Sequence, residues 1–259
     1  MLSQNKSEFS GFSLVELSLV LVIISVLIGM MMFTTQSRID ASAIYVTKER
    51  MQLIMDALDR YAEQYGHLPC PADFDIARTN EGYGESLSAD STNYCSTGTQ
   101  QIYDYSGNAD YVRGAIPFKN LGLDPSIGVD GWGMRFDYIV TERYTVTSDY
   151  TGLTPYGDSY LICNKTDQAN CAAGTDIAAN SGDDVAYILI SHGANTYGGY
   201  SDKSGSRITA SAGTGASDDE VENSDDDQYF VLVQPTTDFD DIIIFKQKWQ
   251  MPTYVNTGF

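Results

Sequence analysis

Gly11-Phe12-Ser13-Leu14-Val15-Glu16-Leu17 opens an apolar run that continues to Phe33. After Leu17 only Ser18, Ser25 and Gly29 interrupt its aliphatic, Met and Phe residues, and no charge follows Glu16 until Arg38. As a helix, at ~1.5 Å per residue, residues 12–33 measure roughly 33 Å, about the thickness of a bilayer's hydrocarbon core. Glu16 is the odd member. A carboxylate near one end of a membrane-length helix costs at least a few kcal/mol when unpaired, so it is expected to have a partner or a task. An ordinary secretory signal peptide does not fit. The leader holds one Lys6 offset by Glu8, and no small-x-small site lies just after the run. A plain single-pass anchor gives Glu16 no purpose.

Gly11, then Phe12-Ser13-Leu14-Val15-Glu16, then a long apolar run after a short polar leader, resembles the processing site of type IV prepilins and pseudopilins. The resemblance implies cleavage between Gly11 and Phe12 by a prepilin peptidase, which also N-methylates the new Phe12 amine. It implies that Glu16 pairs with the Phe12 amine of a neighbouring subunit inside a filament, where low dielectric makes the pair strong and sets axial register. The implied fold class is α+β and pilin-like. A long N-terminal helix, its first half membrane-spanning, packs on an antiparallel β-sheet head with long loops. The implied domains are a leader (1–11), a transmembrane or filament-core segment (12–33), an amphipathic continuation (34–66) and a β-rich periplasmic or extracellular head (67–259). The implied localisation is the inner membrane of a Gram-negative bacterium, single-pass, and then a periplasmic or cell-surface filament. The implied partners are other pilin or pseudopilin subunits, the peptidase and an inner-membrane assembly platform. Type IV pilus (fimbrium), type II secretion and competence filaments all remain open.

The chain has 259 residues, of which roughly 225 remain beyond the leader and apolar run, enough for one large domain or two small ones. A net charge of -20 argues against nucleic-acid binding, because a polyanion is repelled. Cys70, Cys95, Cys163 and Cys171 lie beyond the apolar run, where an oxidising compartment is expected. Three pairings are possible. Cys70–Cys95 and Cys163–Cys171 are favoured, since each pair is close in sequence and brackets a polar loop. A zinc site is the rival, but the spacings lack CxxC and His67 and His192 are not set among the cysteines.

From Ser37 to Tyr65 there is no Pro or Gly, and Ile44, Met51, Met55, Leu58, Ala62 and Tyr65 share one helical face. The expected helix runs over residues 12–65 and stops at Gly66 and Pro69. Residues 74–112 read as a long loop. Strands are expected over 136–146, 159–163, Val185–Ser191, 229–234 and 242–245, and their succession without helical periods predicts an antiparallel sheet. Trp132, in Asp130-Gly131-Trp132-Gly133, reads as a core anchor. Residues 201–228 read as a surface loop low in apolar residues.

Within that loop, Asp218, Asp219, Glu222, Asp225, Asp226 and Asp227 offer hard oxygen ligands of the kind calcium takes. Ser191-His192-Gly193-Ala194-Asn195 with Gly198-Gly199 is similar to the surroundings of the calcium loop in major pseudopilins. Calcium is therefore a candidate cofactor, but no EF-hand pattern is present and a solvated acidic loop fits the residues at least as well. Ser191 beside His192 does not make a triad, whose roles require convergence in space. No hydrolase or P-loop motif occurs. The expected function is a non-enzymatic filament subunit. The alternatives are a filament-tip minor pilin or adhesin using the Tyr-rich 94–111 loop, and a membrane-anchored periplasmic hydrolase.

Overall fold

The computed structural model of the chain describes residues 13–87, 95, 100–103, 109–146, 161–163, 185–210, 215–227, 229–236 and 239–252. The chain divides into two compact units, Met1–Ser42 and Ala43–Phe259. Helix α1, Leu14–Tyr65, contributes to both.

In the first unit Ser13 caps α1. Its Oγ accepts from the N–H groups of Val15 (3.2 Å) and Glu16 (3.5 Å), while Glu16 Oε2 accepts from the N–H of Ser13 (3.0 Å). This is the reciprocal pattern of a capping box. Beyond it Leu14, Val15, Leu17, Leu19, Val20, Leu21, Val22, Ile23, Ile24, Val26 and Leu27 are all exposed.

This arrangement corrects the pilin-like fold class. Among the described residues no helix is long and apolar enough to cross a membrane, which overturns the membrane-spanning first half, the transmembrane assignment and the single-pass inner-membrane localisation. The part of α1 in the second unit is amphipathic and carries Lys48, Glu49, Arg50, Asp56, Asp59, Arg60 and Glu63. The rest of the described chain is largely a β-sheet body.

That body is built on a five-stranded sheet in the order β1-β2-β4-β6-β9. Its strands are β1 (Gln100–Tyr103), β2 (Ala109–Ala115), β4 (Asp137–Thr141), β6 (Val185–Ser191) and β9 (Ile242–Gln247), every pairing antiparallel. Two small pairs complete it. β3 (Met134–Arg135) runs antiparallel to β7 (Tyr200–Ser201), and β5 (Leu161–Cys163) runs parallel to β8 (Tyr229–Val231), against the expectation of a wholly antiparallel head. Both faces of the sheet are covered, so β6 is buried throughout, with hydrophobic side chains at every position up to Ile190 instead of alternating. With period two, Tyr138, Val140, Tyr187 and Leu189 join one core with Met51, Ile54, Leu58 and Ala62 of α1. Ile139, Ile188 and Ile190 join the other with Ile162 and Phe230 of the β5–β8 pair.

The buried stripe of α1 is Ala43, Thr47, Met51, Ile54, Leu58 and Ala62, a regular 3–4 step. Ile44 and Tyr65, read from sequence as part of that face, are exposed instead. Gly66, at φ 73°, closes the helix in the left-handed conformation and donates its N–H to Ala62 (2.9 Å). The Asp130-Gly131 turn docks against the stripe. Gly131 donates to Thr47 Oγ1 (2.9 Å), and Arg50 donates to the carbonyls of Val129 and Asp130. A Cβ at Gly131 would lie 2.3 Å from the Ala43 carbonyl oxygen, so only glycine allows this approach. Trp132 packs, partly buried, on the main core.

Two further readings are corrected. The 74–112 segment contains β1 and the start of β2, because its Tyr and polar residues hid the strand pattern. The 201–228 segment contains Ser201 of β7 and a short helix α2 (Asp218–Glu222), started by a capping box between Ser217 and Glu220. The strand expected over 136–146 stops at Thr141 and continues as one 3-10 turn, Glu142–Thr145.

Candidate functional site

The antiparallel registers gather the polar ends of several strands at one corner of the sheet. Asp137 opens β4, His192 follows β6, and Asp241 precedes β9. The pairing of Ser191 with Ile242 sets His192 opposite Asp241, and the pairing of Ala115 with Asp137 brings Arg113 of β2 close. The side chains of Arg113, Asp137, His192 and Asp241 are all fully buried.

Arg113 contacts Asp137 Oδ2 through Nε (2.9 Å) and Nη2, and donates through Nη1 to Asp226 Oδ1 (3.0 Å) and through Nη2 to the carbonyl of Asn223 (3.1 Å). Arg207 donates to the other oxygen of Asp226 (2.8 Å). His192 Nε2 lies 3.1 Å from Asp137 Oδ2, and Nδ1 lies 3.6 Å from Asp241 Oδ1. Burial disfavours the Asp137 carboxylate, but Arg113 and His192 outweigh it and hold its pKa at about 2. Burial disfavours the His192 cation, but Asp137 and Asp241 raise its pKa to about 9. Ser191 donates to Asp130 Oδ2 (2.7 Å) while His192 turns to Asp137 and Asp241, so these neighbours act on different partners.

Two groups of three carboxylates lie beside this corner, each with ligand atoms within 4.8 Å of one another. The first is Glu220, Asp240 and Asp241. Glu220 Oε1 accepts from Asn195 Nδ2 (2.6 Å) and the N–H of Asp240 (3.3 Å), and its Oε2 accepts from the N–H of Ser217 (2.8 Å). Asp240 Oδ2 accepts from the N–H groups of Ala194 (2.8 Å) and Asn195 (2.9 Å), and Asp241 Oδ2 accepts from Asn223 Nδ2 (2.8 Å). Burial pushes Asp240 up to about 6, with Glu220 and Asp241 adding to the rise, and burial also raises Asp241. The acidic region that the sequence offers for calcium includes Glu220, Asp240 and Asp241, although the six acids singled out as ligands do not. The usable signal was that strand ends following Ser191 and preceding Ile242 must meet.

The second group is Glu222, Asp225 and Asp227. Asp226 adopts φ 66° between the last two. Its own carboxylate goes to Arg113 and Arg207, while those of Asp225 and Asp227 join Glu222. Burial raises Asp227 to about 7, with the charges of Asp225 and Glu222 adding to it, and Asp225 is raised as well. Of the six acids expected to hold calcium, the structure brings these three together. Asp226 is committed to arginines, and Asp218 and Asp219 sit in the first turn of α2 outside either group.

Cys70 and Cys95 form a disulfide, and Cys163 is also disulfide-bonded; Cys171 lies outside the described residues. Gly11 and Phe12 lie outside them too. Glu16 occupies the first turn of α1, in the capping arrangement given above. No protein-family model, curated protein or solved structure matches this chain.

Proposed function

We propose that the protein is a structural subunit of a type IV-class filament, cut after Gly11 by a prepilin peptidase and assembled with other subunits through the start of α1. The observation that carries this reading is the uncovered apolar stretch over residues 14–27. It leaves eleven large aliphatic side chains in the open, from Leu14 at 87% exposure to Ile24 at 45%. Burying each such side chain is worth roughly 1.5–3 kcal/mol, so the stretch demands a cover. Neighbouring copies of the same helix supply one, in a bundle where the Phe12 amine of one subunit meets Glu16 of the next. In the isolated chain the Glu16 carboxylate caps the helix; in the bundle it exchanges that contact for an intersubunit pair.

Calcium enters this reading at Glu222, Asp225 and Asp227. Their converging carboxylate oxygens and the raised Asp225 and Asp227 suit a hard divalent cation, which would relieve the mutual repulsion. The experiment that tests the filament reading is intact-mass analysis of the native N-terminus, with and without shearing of the cells. A chain beginning at N-methyl-Phe12 in sheared polymer is the expected result. A chain beginning at Met1, or cut elsewhere, removes the filament reading.

A further inference from the structure

At the corner where β4, β6 and β9 meet, Arg113, Arg207 and His192 face Asp137, Asp226 and Asp241. Each of these three carboxylates therefore faces a cation, while the carboxylates of Glu220 and Asp240 also lie close to Asp241. With a neutral His192 the corner would hold an uncompensated carboxylate among side chains that have no exposure, which is strongly destabilising. The imidazole is also fixed from outside the charge network. Gly198, at φ 86°, comes so close that a Cβ there would lie 3.0 Å from His192 Cε1 and Nδ1.

We propose that His192 is a resident imidazolium that takes the place of a metal ion, tethering the acidic 217–241 segment to the sheet through Asp241 and Asp137. The acids at this corner leave a divalent cation little to bind. Of the carboxylate oxygens of Glu220, Asp240 and Asp241, only Asp240 Oδ1 and Asp241 Oδ1 lack a hydrogen-bond donor. Asp241 Oδ1 already faces His192 Nδ1 at 3.6 Å, and neither atom has a hydrogen-bond partner. Calcium takes about six to eight oxygens, and these three carboxylates, one of them beside the imidazole ring, fall well short of that number. Asn223 completes the tether. It donates to Asp241 and accepts from the N–H of Val231 (2.7 Å), joining the end of α2 to β8 and β9. The assignment stands whether or not the chain assembles into filaments.

The test uses the full chain labelled with 15N-histidine. The chain has two histidines, and His67→Gln assigns the signals. At neutral pH both ring nitrogens of His192 are expected to be protonated, with shifts unmoved by chelator or by millimolar calcium chloride. A neutral tautomer overturns the proposal. So does a calcium-induced change at His192 that persists in Asp225→Asn, where the neighbouring acid group is broken. As a second arm, His192→Gln is expected to lower the melting temperature by roughly 10 °C, and Asp241→Asn in the same chain to recover about half of that loss. A double variant no better than His192→Gln alone shows that the ring acts by packing and not by charge, and also overturns the proposal.

Discussion

The two stretches of α1 meet opposite fates. Over residues 43–65 the apolar stripe is covered by the chain's own sheet, and Met51, Ile54, Leu58 and Ala62 are at most 1% exposed. Over residues 14–27 a denser set of aliphatic side chains is left open. The acids repeat the contrast. Asp137, Asp226 and Asp241 have cations supplied from within the chain, whereas Glu222, Asp225 and Asp227 crowd one another, and Asp225 and Asp227 are pushed up in pKa. What the protein covers for itself builds the body. What it leaves uncovered points to where other molecules act.

The largest expected effect lies in the self-neutralised corner. Arg113→Met leaves Asp137 with His192 alone and removes one of the cations on Asp226, and should cost roughly 3–5 kcal/mol in urea unfolding. A loss under about 1 kcal/mol would mean that the buried charges contribute little and the contrast between the acid groups is empty. Next comes the helix. Leu58→Ala should cost about 3 kcal/mol by opening a cavity in the main core. Leu21→Ala should leave unfolding of the body within about 0.5 kcal/mol while weakening self-association in sedimentation. Equal effects of the two on unfolding would erase the distinction between the covered and uncovered stretches.

The sequence made part of this legible. Val185–Ser191 reads as a strand because its apolar residues are continuous, and the same continuity says that both sheet faces are covered. Gly66 reads as the helix stop because the left-handed residue after a helix is usually glycine. The length of the apolar run misled. It gave a residue count matching a bilayer, but among the described residues no helix has the combined length and apolarity to span one. The parallel β5–β8 pair was out of reach, since it depends on long-range pairing with no local mark. The buried ion network was hidden for the same reason. Arg113, Asp137, His192, Arg207, Asp226 and Asp241 are scattered along the sequence, and only the strand registers unite them. The Ser217-to-Glu220 capping box is readable in the sequence, but the acids around it point the reading to a surface loop with calcium ligands and not to a helix start.

The pH dependence sharpens the contrast with a smaller effect. Asp137 falls from its ordinary 3.8 to about 2 in the folded state, so its stabilisation is present above pH 3.8 and is lost as pH falls through about 2. His192 rises from 6.5 to about 9, so its stabilisation is complete below pH 6.5 and is lost as pH rises through about 9. Melting temperature should therefore drop at both ends, and Asp137→Asn should blunt the acid drop. An acid limb unchanged in that variant would assign it to other carboxylates.

The smallest effect belongs to Glu222, Asp225 and Asp227, and its sign is opposite to that of Asp137. Asp227 is raised from 3.8 to about 7, so the folded state binds its proton more tightly than the unfolded chain. Stability must then decline as pH rises from 3.8 through about 7, because ionisation leaves partly buried like charges together. A calcium ion seated there would cancel that decline. Its stabilisation, by mass action on the folded state, should be greater at alkaline than at mildly acid pH. Asp227→Asn should raise the melting temperature slightly at neutral pH and abolish the gain from calcium, since it removes both the repulsion and a ligand. A calcium gain that survives Asp227→Asn would place the ion elsewhere. No calcium gain in the parent chain, with the Asp227→Asn rise intact, would leave the group as an unrelieved acidic cluster and confine cation binding in this loop to the protein's own side chains.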